Sequence, residues 1–352
     1  MKNPFDSIVI GAGQAGLASA FHLQNHGLRY LVLQGDDQTT GSWSKYYDSL
    51  TLFSPARYSS LPGLRFPGNQ SRYPSKEEVI SYLNEYTKHF NFNIRTGEKV
   101  TNVQKVGGLF EIVTAKGNVF YAKTLISATG AFANPNLPRI EGSECFKGKI
   151  IHSSEYKNVE EYKNQRVVVV GGGNSAMQIA YELAKVSNVT IASRKPISFI
   201  PQRLLGKDIH FWLKVTGIDT QFYGRKFSMN TSVMDTGIYK EAILNNMPDT
   251  KNMFTNFTDK GVVWSDGREE KVDAIIYATG YRSNVNYLTS LKNAIDKYNN
   301  PLQNKGISTT IDGLYFVGLS GQRSFSSATI RGVGSDAKYV VKKVRSFFNG
   351  LK

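Results

Sequence analysis

The sequence predicts an α/β chain of two Rossmann-like dinucleotide-binding modules, with parallel sheets and β-hairpin or meander insertions. Three observations lead there. An apolar strand run twice enters a glycine-rich turn and then a helical pattern, at Gly11 and again at Gly171. Each half later reaches another apolar strand followed by Ala-Thr-Gly, at 128–130 and 278–280. Between these landmarks lie short alternating runs bounded by turn residues, the pattern of hairpins.

Asp6-Ser-Ile-Val-Ile10 reads as the first strand and feeds Gly11-Ala-Gly13-Gln-Ala-Gly16. A helix follows, with Leu17, Ala20, Phe21 and Leu23 on one side and Gly27 as its stop, and then a strand at 30–33. Each glycine has a mechanical reason. Gly11 permits the tight turn, Gly13 lets backbone approach a pyrophosphate, and Gly16 lets the helix pack on the strand. Gln14 opens the helix, whose free N–H groups attract phosphate. The second module repeats this. Arg166-Val-Val-Val-Val170 leads into Gly171-Gly-Gly173-Asn-Ser-Ala176, so Gly171, Gly173, Asn174 and Ser175 form its turn, with a helix through Leu183 and Ala184 and a strand at 189–192.

The residue closing each second strand indicates what each module holds. It is Gln34 in the first module and Arg194 in the second. An acid there would bond a ribose 2′-hydroxyl, whereas arginine accepts a 2′-phosphate. Arg194, with Ser193 and Lys195 beside it, favours NADPH over NADH, although NADH remains open. Gln34 can still bond a ribose, without a charge to strengthen the bond.

Hairpin strands are expected at 99–106, 109–114 and 119–122, followed by a separate buried strand from Thr124 into Ala128, Thr129 and Gly130. After the second module, a strand at 261–264 turns at Asp266-Gly267 and leads to another at 274–277. Gly313-Leu-Tyr-Phe-Val-Gly318 is one more strand, followed by a helix from about Ser327 to Phe348.

Composition excludes several chemistries. The chain has 352 residues, of which 40% are hydrophobic and 20% charged, a globular balance with room for two domains. One cysteine, Cys145, rules out an intrachain disulfide, a Cys-x-x-Cys pair and a cysteine-rich metal site. His22 and His26 lack a third ligand nearby, so no metal is expected. Net charge is +15, but the basic residues are spread out and no nucleic-acid-binding motif accompanies them, so no nucleic-acid partner is expected. No run is long enough to span a membrane. With the first strand beginning near Phe5, no targeting segment is expected and the chain is placed in the cytoplasm.

Phe146-Lys-Gly148-Lys-Ile-Ile-His152-Ser-Ser-Glu-Tyr156 fits the FxGxxxHxxx(Y/F) fingerprint and stands just before the second glycine turn. With both turns, it makes nearly the whole chain resemble the flavin-containing monooxygenase family. The resemblance is greatest to small bacterial members of the cation-efflux-associated flavoprotein type, echoed in Gly41-Ser-Trp43, Leu52-Phe-Ser-Pro55 and Arg72-Tyr-Pro-Ser-Lys-Glu-Glu-Val79. Baeyer–Villiger relatives usually carry Trp where Tyr156 stands.

The resemblance implies FAD in a discontinuous domain, 1–155 and 278–352, with Ser42, Trp43, Ala128, Thr129, Gly130 and Gly318 near the cofactor. It implies NADPH in an inserted domain, 156–277. The implied cycle reduces FAD, adds oxygen to form a flavin 4a-hydroperoxide and passes the distal oxygen to a sulfide or amine of a small-molecule substrate. His152 is implied to be a linker residue rather than a base.

Departures matter too. Phe53 stands where larger members carry Asn near the flavin, and Leu319 where many related reductases carry Asp. Phe53 cannot bond a hydroperoxide, which keeps open an NADPH oxidase or flavin reductase that releases hydrogen peroxide. Asn69 or Gln70 is the candidate substitute. A basic binding protein on the same fold is a third reading. Pro196–Phe254, with Phe199, Trp212, Phe222, Tyr223 and Tyr239, is expected to be a lid or substrate wall, or simply packing; Ile209–Val215 could touch a membrane. The sequence leaves the oligomeric state open.

Overall fold

A computed structural model describes residues 3–219 and 232–350. The first module opens with β1 (Phe5–Ile10), α1 (Gln14–Asn25) and β2 (Tyr30–Leu33), then α2 (Lys76–Phe90) and β3 (Ile94–Arg95). β4 (Val100–Val106), β5 (Leu109–Thr114) and β6 (Val119–Ser127) follow as a meander. β1 lies between β2 and β6, parallel to both, and Leu314–Phe316 returns to the far side of β6. The four last residues of β1 and all of β2 are buried, as expected of parallel strands covered on both faces.

The second module has β7 (Lys149–His152), β8 (Arg166–Val170), α3 (Asn174–Leu183) and β9 (Asn188–Ser193), plus strands Asp249–Asn252 and Ala274–Tyr277. Its five strands are parallel, in the order Asp249–Asn252, β9, β8, Ala274–Tyr277, β7. The sheet therefore begins at Lys149, ahead of the domain boundary at 156 expected from the sequence. The segment after β9 carries α4 (Ile209–Val215) and α5 (Ile238–Leu244), and α6 (Val333–Asn349) closes the chain.

Two expected elements differ. The hairpin strand at 119–122 and the buried strand from Thr124 are one strand, β6, because the same backbone pairs antiparallel with β5 and parallel with β1. The last helix begins at Val333 rather than near Ser327. Ahead of it the Ser327 hydroxyl accepts from the N–H groups of Arg323 and Ser324, and Thr329 Oγ1 donates to Ser326 O. Side-chain bonds of this kind compete with helix formation. α6 packs on α1, where His22 approaches Gly334 O at 3.2 Å. Burial lowers the His22 pKa to about 4, keeping the ring neutral at pH 7.

Glu270 ties the second sheet to the small antiparallel sheet beside it. It accepts from Arg166 Nε at 2.7 Å, Lys251 Nζ at 2.9 Å and Trp264 Nε1 at 2.7 Å. Burial pushes its carboxyl up, but the bonds from Arg166 and Lys251 outweigh that and hold it at about 2. Its folded pKa thus lies below the ordinary 4.5, so its stabilisation is full above pH 4.5 and is lost as pH falls towards 2. Glu270→Gln should lower Tm by about 2–4 °C at pH 7. Melts taken down to pH 2.5 should show that gap closing.

Candidate functional site

The first glycine turn is defined by what cannot fit there. Gly11 has φ +100°, and a Cβ on it would lie 2.6 Å from Ala128 O; one on Gly16 would lie 1.8 Å from Gly11 O. Gly13 caps α1 with no side-chain hydrogen bond, and the first turn holds no acid. The first N–H groups of α1 are left for an anion. Around this cradle Gln14 accepts from Trp43 Nε1 at 2.9 Å and donates to Ala328 O at 2.8 Å. Ser42 caps the short turn Trp43–Lys45, and Gly41 of the same loop faces Gly13. Ala128 N donates to Ile10 O, Thr129 Oγ1 to Asn284 O, and the Gly130 carbonyl accepts from Asn284 N. A Cβ on Gly318 would stand 2.8 Å from that of Ala15. Gln34 is buried, and its Oε1 accepts from Ala12 N at 2.8 Å, so that oxygen already serves the glycine turn.

The second turn repeats the design. Gly171 has φ +144°, with its Cβ position 2.5 Å from Ala278 O. Gly173 caps α3 without a side-chain bond, again with no acid in the first turn, and Asn174 Oδ1 accepts from Met234 N at 2.9 Å. Ser175 follows within that turn. Ser193, at the end of β9, lies beside Gly172 and bonds Lys195 O at 2.7 Å. Arg194 and Lys195 are exposed and make no ion pair among the described residues. Both cradles fit the diphosphate of a dinucleotide, and only the second ends in free cations.

His152 is buried at the end of β7. Its Nδ1 accepts from Ser154 N at 3.1 Å, which leaves Nε2 to donate to Gly280 O at 3.1 Å. Burial lowers its pKa against the pull of that carbonyl, so it stands as a neutral strut. Tyr156 OH bonds Glu182 of α3.

The modules meet over Phe53. Its carbonyl accepts from Gln202 Nε2 at 2.9 Å, and its ring stacks on His210 at 6.3 Å, while Tyr58 stacks on that imidazole at 6.0 Å. Asp208 caps α4 and holds His210 Nδ1 at 2.7 Å, Tyr73 OH at 2.6 Å and Gln202 Nε2 at 3.1 Å. Burial opposes the Asp208 charge, but the bond from His210 and its other donors outweigh that and set its pKa at about 2. His210 is wholly buried, burial lowers its pKa, and its Nε2 has no partner among the described residues. Arg331, nearly as buried, pairs with Asp219 at 3.1 Å and lies 6.0 Å from the Phe53 ring centre; its Nη1 has no partner among the described residues.

Asn69 and Gln70 are not brought into this junction. Asn69 Oδ1 caps Ser71 N, and Gln70 Nε2 donates to Phe66 O and Gly68 O, closing their own loop. Leu319 packs against the first module's core. Phe199 and Tyr239 pack against the second module's core, and Trp212 Nε1 bonds Leu204 O. Phe222 and Tyr223 lie outside the described residues. Sequence reasoning missed Asp208, His210, Asp219 and Arg331. The one local signal was an Asp two residues before a His at a helix start.

A family model described as pyridine nucleotide-disulphide oxidoreductase matches residues 8–318. The uncharacterized oxidoreductase CzcO of Bacillus subtilis is 33% identical, over 97% of this chain and 99% of its own. A flavin-containing monooxygenase from Stenotrophomonas maltophilia superposes with a TM-score of 0.87 at 27% identity, over 98% of this chain and 99% of that one. The chain belongs to the pyridine nucleotide-disulphide oxidoreductase family, as a flavin-containing monooxygenase member. The probable indole-3-pyruvate monooxygenase YUCCA1 of Arabidopsis thaliana is 32% identical over 79% of this chain and 76% of its own. This family member is an NAD(P)H-dependent flavoprotein oxidoreductase, and no described helix is long and apolar enough to cross a membrane.

Arg194→Ala should raise the Kd for NADPH about tenfold or more, the size of a lost charged hydrogen bond, and leave that for NADH unchanged. Titration of the two nucleotides by fluorescence quenching measures both. Equal losses would remove the 2′-phosphate contact.

Proposed function

We propose that the chain is an FAD-dependent, NADPH-using monooxygenase that oxygenates a soft heteroatom, a sulfide or tertiary amine, of a small molecule. One observation carries the reading: two acid-free, uncapped helix starts in one chain, the second ending at unpaired Arg194 and Lys195. FAD belongs to 1–155 and 278–352 and NADPH to 156–277, with β7 joining the latter's sheet. The flavin, when bound, accepts hydride from NADPH and activates dioxygen. For a sulfide the balance is NADPH, a proton, dioxygen and sulfide giving NADP+, water and sulfoxide.

The chain's own part is binding, orientation and exclusion of water. The N-termini of α1 and α3 offset the diphosphate charge. Gln34 Oε1 already accepts from Ala12 N–H, so to a ribose it offers its amide hydrogens and one remaining lone pair, without the charge an acid would bring. Phe53 brings an apolar ring to the junction with no donor for a bound oxygen species.

Phe53 favours a second reading, an NADPH oxidase that releases hydrogen peroxide, because its ring has no donor, while Gln70 Nε2 and Asn69 Oδ1 are turned to their own loop. Product formation against peroxide separates the two. On a panel of sulfides and amines, the leading reading expects sulfoxide or N-oxide in step with NADPH consumed. Peroxide matching all NADPH on every member would sink it. Phe53→Asn should raise the coupled fraction; an unchanged ratio would acquit Phe53.

A further inference from the structure

On the outer side of the Phe53 junction, Arg57, Tyr58, Phe211, Lys214 and Val215 wall a pocket of about 530 Å³, within the range that holds organic ligands. Among the described residues its apolar walls are two aromatic rings and Val215, a residue 65% exposed. Among the described residues its polar walls are two cations, with no acid among them.

Neither cation is neutralised. Arg57 donates Nε to Gln70 O at 3.2 Å and Nη2 to Ser71 Oγ at 2.6 Å, and it meets no carboxylate. Among the described residues Lys214 meets no carboxylate and approaches the Tyr58 ring, 6.0 Å away. In sequence, residues 220–231 include neither Asp nor Glu. Two uncompensated charges beside exposed apolar surface suit an amphipathic anion better than a neutral molecule.

The hydrogen bonds of Arg57 set which of its donors face an anion. Nε and one Nη2 hydrogen are engaged, which leaves the end-on edge of the fork, Nη1 with the second Nη2 hydrogen. Those parallel donors, with the Lys214 ammonium, suit the two oxygens of a carboxylate. The pocket also touches the interior. Tyr58 is both its wall and the outer ring of the stack Tyr58–His210–Phe53, in which His210 Nε2 is buried without a partner among the described residues.

We propose that this pocket binds an apolar organic carboxylate, an aryl or alkyl acid held by Arg57 and Lys214 with its body against Tyr58, Phe211 and Val215. Only its description as a substrate subsite rests on the oxygenase reading above. Under that reading the preferred substrates are acids that also bear the soft heteroatom.

The test is equilibrium binding of 2-naphthoate to the purified flavin-bearing protein, without NADPH, with neutral 2-naphthamide as control. The naphthoate should bind and weaken with added salt, and the amide should bind at least fivefold less tightly. Lys214→Gln and Arg57→Gln should each weaken naphthoate about fivefold, the size of a part-exposed charge contact, while Lys214→Arg retains it. Circular dichroism melts of each variant exclude loss of fold.

No naphthoate binding at 5 mM, equal binding of the amide, or variants indistinguishable from the parent would each overturn the proposal. So would co-sedimentation with phosphatidylglycerol vesicles, lost in the same variants, without naphthoate binding; that would make the patch a membrane contact. (Phenylthio)acetate and thioanisole then separate the two failures. Oxygenation of thioanisole without naphthoate binding would refute the pocket and spare the function. Naphthoate binding with neither sulfide oxygenated would do the reverse.

Discussion

Both modules depend on a backbone crossing at which no side chain can stand. At Gly11 and Gly171 the chain leaves a central strand and passes under the carbonyl of Ala128 or Ala278, with 2.6 and 2.5 Å left for a Cβ. Since real Cβ contacts are not that short, any other residue would push the helix off its strand or spread the sheet. At both positions φ is also positive, which adds backbone strain for an L residue. The same crossing places the helix N-terminus and its open N–H groups at the sheet's edge. Packing and anion attraction are therefore one geometric fact. It accounts for the repeat of Ala-Thr-Gly after each partner strand, where a small side chain must lie against the turn.

The junction between modules follows a different logic. It is polar and buried, and it is held by carboxylates rather than by shape. Asp208 gathers donors from its own segment and from Tyr73 in the first module, and Asp219 neutralises Arg331 ahead of α6. Burying such charges costs several kcal/mol per ion unless each is paired and bonded, so the junction forms as a set or not at all. Two valences there, His210 Nε2 and Arg331 Nη1, are unmet among the described residues and out of keeping with that economy. They lie beside Phe53, where the segments 53–73, 202–219 and 323–331 converge.

The modules were legible in the sequence because their determinants are local. Glycine spacing, apolar strand runs and the residue closing β9 each occupy a short window, and the strands and turns of the two modules and the starts of α1 and α3 fall close to where those patterns place them. β6 was read as two strands because Lys123 interrupts the apolar pattern, although its backbone pairs without a break. The start of α6 was read early because helix propensity does not register the serine hydroxyls that tie 323–329 into turns. The junction was not legible at all. Asp208, Asp219 and Arg331 are ordinary charged residues until distant segments meet, and no period or spacing encodes that meeting.

Charge allocation gives the remaining distinction. With 43 basic against 28 acidic side chains, many cations must go unpaired, so lack of a partner does not by itself mark a ligand site. Where carboxylates are placed is more informative. They are used on cations inside the structure, Arg166 with Glu270, Arg323 with Asp336 and Arg331 with Asp219, where an unpaired charge would be costly. They are absent from the first turns of α1 and α3 and from Arg194 and Lys195. A carboxylate at any of those places would repel a nucleotide phosphate at Debye-length range and closer. Acids where the fold needs neutrality, and none where a phosphate must approach, is the arrangement a chain that binds two dinucleotides requires.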